Sequence, residues 1–187
     1  MGIRSAGLLG VLALCAAPLA AQGRVEIGTQ AGFSHRSADE TQGEPTLQEF
    51  AIPGGGLLGR PTIWATIFVA RRFAIEPHFS YRLVRDEDLD DNVGTLGASA
   101  RGVWYAGDPR SPSFYAFGDA SLDRSRQLQT GQDDSDTDFA LGGGAGYHWP
   151  LGDHFGIRAQ ALYRYWIDDR RNELAVTVGF GVVAKRR

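Results

Sequence analysis

The sequence predicts an all-β fold: an eight-stranded, antiparallel, up-and-down transmembrane β-barrel. Three observations carry this prediction. Many stretches alternate between apolar and polar residues, the number of such stretches is even, and the connections between them alternate between short and long. Alternation with a period of two is typical of strands, because successive side chains of a strand point to opposite faces of the sheet.

The clearest strand covers residues 73–84. One face is apolar from Phe73 through Phe79 to Leu83, whereas the other face carries Glu76, His78 and Arg82. The last strand, within 173–184, repeats the pattern with leucine, valine and phenylalanine on one face. Strands of about 10 residues suffice to cross a bilayer. Eight segments of this kind are predicted, at 24–36, 60–70, 73–85, 93–106, 113–125, 138–150, 154–167 and 173–184.

The connections alternate in length along the chain. The links at 71–72, 107–112 and 151–153 are short, and the remaining links are mostly longer and more polar, at 37–59, 86–92, 126–137 and 168–172. Bacterial membrane barrels have an even strand count, short periplasmic turns and longer outer loops. An amino terminus in the periplasm would place every short link on the periplasmic side. Residues 47–52 also alternate, and we assign them to the first outer loop, because a ninth strand would break the even count.

The first 21 residues have the three-part layout of a secretory signal peptide. Arg4 precedes an apolar run over 8–19, and small residues follow, so we expect cleavage after Ala21 and one barrel domain over 22–187. The only cysteine, Cys15, lies in this segment. Cleavage removes one of 19 basic residues and none of 22 acidic ones, which leaves 18 − 22 = −4. A negative chain argues against nucleic acid as a partner.

The polar faces of the predicted strands mix acids and bases. Such charges would neutralise one another inside a lumen, whereas lone buried charges are costly. We therefore expect a lumen charge network with the apolar faces turned to lipid. A soluble lipocalin-like barrel is the opposite arrangement, with its apolar faces inward. The expected network comprises Glu76, His78, Arg82, Arg101, Asp119, Asp123, Arg158 and Arg164.

With this pattern, and with its final strand LAVTVGFGVV, the chain resembles the small eight-stranded OmpA/OmpX-type outer-membrane β-barrels, which are porin-like proteins of the Gram-negative envelope. The resemblance implies a bacterial outer-membrane location, contact with outer-membrane lipids and lipopolysaccharide, and insertion by the barrel assembly machinery. Because this topology comes with no convincing active site, we expect a non-enzymatic structural or surface-interaction role through the outer loops. Members of this family usually end in an aromatic residue, whereas here Phe180 is followed by seven further residues.

Two other roles remain open from the sequence. His78 and Ser80 resemble the His-x-Ser pair of outer-membrane lipid A deacylases, because a base beside a serine is what nucleophilic hydrolysis needs. The pair shares its face with Glu76 and Arg82, however, which favours a lumen hydrogen-bond network. The polar lumen could alternatively form a narrow pore, although eight strands normally leave an interior that side chains fill.

Two further motifs are weaker, and we predict neither a cofactor nor a metal. Residues 54–59 (GGGLLG) match a dinucleotide fingerprint in letters, but Pro61 and a strand pattern follow in place of the required helix. Acidic clusters at 86–91 and 133–138 offer carboxylates of the kind that Ca²⁺ prefers, without the EF-hand spacing. We interpret both clusters as solvated loops.

Overall fold

The computed structural model describes residues 24–36, 47–51, 62–86, 91–129, 132–168 and 170–185. This part of the chain consists of strands joined by turns. No helix within it is long and apolar enough to span a membrane. The strands are β1 (Arg24–Arg36), β2 (Leu47–Ala51), β3 (Thr62–Ala70), β4 (Phe73–Asp86), β5 (Asp91–Tyr105), β6 (Ser113–Gln129), β7 (Gln132–Leu151), β8 (Phe155–Trp166) and β9 (Arg171–Lys185).

The sheet closes on itself as an eight-stranded antiparallel barrel. From β3 to β9 each strand pairs with the next, and β9 returns to pair with the whole of β1, from Arg24↔Lys185 to Arg36↔Glu173. On its other side β1 pairs with β3 at one end and with β2 at the other. Both β2 and β3 pair with the same side of β1, at different ends, so together they fill one strand position of the barrel wall. The nine strand segments therefore occupy eight strand positions. This confirms the predicted fold class.

The segment that we assigned to the first outer loop is partly a strand. Leu47–Ala51 forms β2 and pairs with β1 from Gly32↔Ala51 to Arg36↔Leu47, so the loop assignment of 47–52 is wrong for these five residues. The physical reason is that β1 continues beyond Thr29, the last of its residues that pairs with β3. That extension leaves backbone donors and acceptors to be paired, and the alternating residues of β2 pair with them.

The predicted outer loop at 126–137 is also wrong. There β6 continues to Gln129 and β7 begins at Gln132, with a ladder that ends at Gln129↔Gln132. Backbone pairing needs no apolar face, so a polar stretch can extend a hairpin into solvent. The 20 residues of β7 span about 66 Å at roughly 3.3 Å per residue. Similarly, β5 begins at Asp91, so the strands extend into both ends of the predicted loop at 86–92.

The two faces of the wall differ as the alternation predicts. On β4, Phe79 is 52% exposed and points outward, whereas Ser80 is 3% exposed and points into the lumen. On β9, Leu174, Val176 and Val178 are exposed, and Thr177 between them is buried. A soluble lipocalin-like barrel needs apolar faces inward, so that alternative is wrong.

Outward aromatic side chains gather at the end of the barrel where the short turns lie, which we call the turn end. Phe114 and Tyr147 meet edge to face with ring centroids 4.7 Å apart, and Trp149 lies 4.3 Å from Tyr147. Phe155 stacks on Phe180 at 5.7 Å. The opposite end, the hairpin end, exposes Phe33, Tyr81, Tyr163 and Tyr165. Two such belts are typical of membrane barrels.

Candidate functional site in the lumen

The structure places seven of the eight residues of the expected network inside the barrel. They are contributed by four of the strands, and the exposed fraction of each is 5% or less. The backbone of Arg82 pairs with Thr95, and its side chain lies outside the described residues. The seven buried residues are Glu76, His78, Arg101, Asp119, Asp123, Arg158 and Arg164.

Asp119 is the centre of the half of the network nearer the hairpin end. Its two carboxylate oxygens accept hydrogen bonds from Nε of Arg101 and from Nε of Arg164, each at 2.7 Å. Ser121 donates its hydroxyl to Asp119 Oδ2 at 2.6 Å. Arg164 also approaches Glu173, with 3.7 Å between Nη1 and Oε2. One carboxylate thus holds two guanidinium groups from different strands.

Arg158 is the centre of the half nearer the turn end. It donates from Nη1 to Glu76, from Nη2 to Glu26 Oε2 at 3.1 Å, and from Nη2 to Thr66 Oγ1 at 2.9 Å. Thr66 in turn donates to Glu76 Oε2 at 2.5 Å, and His78 Nε2 lies 2.8 Å from Glu76 Oε1. Charge-assisted bonds of this kind are the strong ones inside proteins.

A longer contact joins the two halves into one column. Arg101 Nη1 lies 3.9 Å from Glu76 Oε1, and His148 Nε2 lies 3.7 Å from Glu26 Oε2 at the turn end. Acids and bases alternate along the column, so each buried arginine lies between two carboxylates. We call this column the ion-pair ladder, and its members in order are Glu173, Arg164, Asp119, Arg101, Glu76, Arg158 and Glu26.

Aromatic rings and amides pack around the ladder. The Arg158 guanidinium lies 4.3 Å from the centroid of the Trp64 ring, and that of Arg101 lies 4.6 Å from the Phe117 ring. Such cation–π contacts stabilise a cation that is removed from water. Tyr115 donates its hydroxyl to Gln160 Oε1 at 3.0 Å. The lumen is therefore packed with side chains along the length of the ladder.

Residues 6–183 match the family model of the outer membrane protein β-barrel domain. The chain belongs to this family. Among solved structures, this outer-membrane barrel is similar to Ail, the attachment invasion locus protein of Yersinia pestis, with a TM-score of 0.54, 17% identity, and coverage of 87% of this chain and 99% of that one. Neisserial surface protein A is similar with a TM-score of 0.56, 18% identity, and coverage of 86% and 99%. At these identities the likeness shows the fold alone. No curated protein matches the chain.

In this outer-membrane barrel the His78–Ser80 pair faces the lumen. His78 is 1% exposed and Nε2 is engaged by Glu76. The only residue between the pair, Phe79, points the opposite way, toward the outside of the wall. An acyl chain in the surrounding lipid would therefore meet Phe79 and not the serine. The geometry favours a structural role for His78 beside the ladder, and the Ser80 hydroxyl is buried without a hydrogen-bond partner among the described residues.

Sequence reasoning did not include several members of the lumen network. Glu26 and Glu173 complete the two ends of the ladder, and Gln30 accepts a hydrogen bond from Gln160 Nε2 at 3.2 Å. Glu173 has the parity of the polar face of its strand, and Glu26 alternates with exposed Ile27. That parity was the available signal. The contact of Trp64 with Arg158 gave no signal in the sequence, because an inward aromatic residue has the same pattern as any other core residue.

The motifs that we considered for cofactors and metals lie mostly outside the described residues. This is true of residues 54–59, of 87–90 in the first acidic cluster, and of the expected signal segment at 1–21. Asp133, Asp134 and Asp136 belong to β7. Within the described part of the chain, no group of three or more His, Cys, Asp or Glu side chains is arranged to hold a metal ion.

Proposed function

We propose that this protein is a non-enzymatic barrel of the bacterial outer membrane that acts through its outer hairpins. The observation that carries the proposal is the separation of the three regions of the barrel. The outside of the wall is apolar, the lumen is packed around the ion-pair ladder, and the β6–β7 hairpin extends far beyond the length that a membrane requires. With its lumen packed, the barrel offers partners chiefly its outer hairpins and its rim.

The partners that fit these regions differ by location. Outer-membrane lipids and lipopolysaccharide suit the exposed apolar face and its aromatic belts, because rings of tyrosine and tryptophan favour the interface between acyl chains and headgroups. The barrel assembly machinery would insert the chain after export through the inner membrane. The ligand of the β6–β7 hairpin is a molecule at the cell surface. The name of Ail, an attachment invasion locus protein, gives one precedent for such a role on this fold.

Epitope tags at the two ends of the barrel test the location and the orientation together. One tag is inserted between Gln129 and Gln132 in the β6–β7 hairpin, and a matched tag is inserted at Gly152 in a short turn. We expect antibody to label the hairpin tag on intact cells and the Gly152 tag only after permeabilisation. Recovery of the protein in the soluble fraction, or labelling of the Gly152 tag on intact cells, would contradict the proposal.

A serine substitution tests the non-enzymatic part of the proposal. Ser80→Ala removes the one hydroxyl that a His-x-Ser mechanism would use, and we expect the lipid A and phospholipid profile of the host, measured by mass spectrometry, to match that of cells with the native protein. A strain without the protein is the matched control for any lipid change that depends on its presence. Loss of a lipid product in Ser80→Ala and in the deletion strain alike would show that the barrel is an enzyme.

A further inference from the structure

A cavity of about 490 Å³ opens at the turn end of the barrel. It lies where the first residue of β1, the end of β3 and the turn at 106–112 meet. A second cavity of about 320 Å³ adjoins it beside the turn at 151–154. The larger cavity is lined by Arg24, Phe68, Arg71, Asp108, Pro109 and Arg110, and the smaller one by Arg24, Arg110, Gly152 and Asp153.

The larger cavity has an excess of positive charge. Three guanidinium groups line it together with one carboxylate, that of Asp108. Oδ1 of Asp108 accepts a hydrogen bond from the backbone N–H of Arg110 at 2.9 Å, so this carboxylate is partly engaged in shaping its own turn. Like charges that converge on one concave surface repel one another unless an anion lies between them.

The arginines of this cavity differ from those of the lumen. Each lumen arginine of the ion-pair ladder is held by carboxylates, whereas Arg24, Arg71 and Arg110 form no ion pair with another described residue. Nε of Arg24 is buried without a hydrogen-bond partner in the described part of the chain, and this also holds for one donor of each of the lumen arginines Arg101, Arg158 and Arg164, so the difference between the two groups lies in the ion pairs alone. The Arg24 guanidinium lies 5.0 Å from the centroid of the buried Phe68 ring. The Phe68 ring thus contacts the guanidinium at the mouth, and the Nε donor has no partner among the described residues.

We propose that this cavity, the mouth site, binds a phosphate group carried by a molecule on the turn-end side of the membrane. A phosphate monoester has about two negative charges and three non-bridging acceptor oxygens, which match the net charge of plus two and the forked donors of arginine. The assignment of that side to the periplasm rests on the proposed function. The phosphate belongs either to a soluble monoester or to the headgroup of an inner-leaflet lipid. Both present anionic non-bridging oxygens to the three arginines, with about two negative charges on the monoester and one on a phosphodiester headgroup.

Inorganic phosphate is the probe that tests the mouth site. The full chain is refolded in uncharged detergent micelles, and binding is followed by the ³¹P NMR linewidth of added phosphate. We expect saturable broadening with the native protein and at least about tenfold weaker binding in Arg71→Gln/Arg110→Gln, which corresponds to a loss of about 1.4 kcal/mol. The matched control is Arg72→Gln/Arg124→Gln, with the same change in charge at exposed arginines that line neither cavity.

The outcomes separate the site from its ligand. Broadening that does not saturate, or a control variant that loses as much binding as the Arg71/Arg110 variant, would overturn the proposal. Added phosphatidylglycerol that competes with phosphate supports a lipid headgroup, and absence of competition supports a soluble ester. Should the double variant not show the gel shift of a folded barrel, Arg110→Gln alone serves in its place. Because the measurement uses micelles, its failure leaves the cellular tests of location unaffected.

Discussion

Arg158 shows how a single residue can be held inside a barrel. Its side chain is buried and contacts two carboxylates, a hydroxyl and an indole ring. Glu26, Glu76 and Thr66 come from three strands that lie far from β8 in sequence. Burial of one charge costs several kcal/mol, which is offset only when all partners are present. The residue is therefore stable as part of a set and not by itself.

Replacement of this arginine should be among the most damaging single changes in the barrel. Arg158→Met leaves Glu26 and Glu76 buried without their shared cation, so we expect a loss of about 3–5 kcal/mol in the free energy of unfolding. Urea unfolding of the barrel in lipid vesicles measures it. Adding Glu26→Gln and Glu76→Gln to the variant should restore most of the loss, because no carboxylate is then left unpaired. A loss as large in Arg124→Met, at an exposed arginine, would contradict this account.

A second residue-scale prediction concerns close packing at a glycine of β7. A Cβ at Gly144 would lie 2.1 Å from the carbonyl oxygen of Ala161 and 2.6 Å from Cζ of Phe117, whereas a Cβ at Gly118 would have no atom within 4 Å. We expect Gly144→Ala to lose about 1–3 kcal/mol through overpacking, and Gly118→Ala to lose none. The midpoint of the heat-induced gel shift compares the two. Equal midpoints for the two variants would show that the neighbouring strands shift to accommodate the added methyl group at position 144.

At the residue scale the sequence predicted which face of a strand a side chain lies on, but not which side chains it contacts. Alternation within a strand fixes which side chains share a face, and this was enough to select Glu76, Arg101 and Arg158. It carries no information about pairs between strands that are not neighbours. Arg158 meets Glu26 across 132 positions of the chain, and that contact depends on the registers of every strand between them.

At the scale of elements, the strand pattern was the most predictable feature. The outward side of β4 was read directly from Phe73 to Tyr81, and the structure agrees except at Pro77, which is buried. The element that sequence reasoning misassigned is β2, because a ninth strand would have broken the even strand count and residues 47–52 were therefore placed in the first outer loop. Continuity of pairing from Gly32↔Ala51 would place residue 54 opposite Thr29, yet Ile63 lies there. A jump in register of this kind leaves the apolar–polar alternation within each strand unchanged, so the alternation cannot reveal it.

The outward face of β9 gives a test of the membrane assignment at this scale. Val178 lies in the middle of β9 (Arg171–Lys185) and is exposed on the outside of the wall. Arginine there would face the middle of the bilayer, so we expect Val178→Arg to lose about 2–4 kcal/mol in vesicles. Val178→Leu is the matched control and should unfold like the native barrel in urea. Equal unfolding of both variants would mean that this face does not contact acyl chains.

At the scale of the whole molecule, the ion-pair ladder fills the lumen with paired side chains. It runs from Glu173 toward the hairpin end to Glu26 toward the turn end, and side chains of an eight-stranded barrel fill the space around it. This arrangement argues against the narrow pore that the polar lumen suggested. An open path would require several arginines to leave their carboxylates together.

Planar-bilayer recordings test this view. We expect the native barrel to insert without producing conductance steps of fixed size, because the described part of the lumen holds paired and buried charges across the path of an ion. Empty detergent micelles and a heat-denatured sample are the controls for bilayer leakage. Reproducible unitary steps from the folded protein alone would show that the ladder opens, and the protein would then be a channel.

The pairing of the first strand with the last has a consequence for the order of the chain. Arg24 lies opposite Lys185, so the start of β1 and the end of β9 are neighbours at the turn end. A linker of a few residues would join them, and new termini could be opened between Gln129 and Gln132 without cutting the wall. A circularly permuted protein made in this way should keep the same barrel while its chain starts on the opposite side of the membrane.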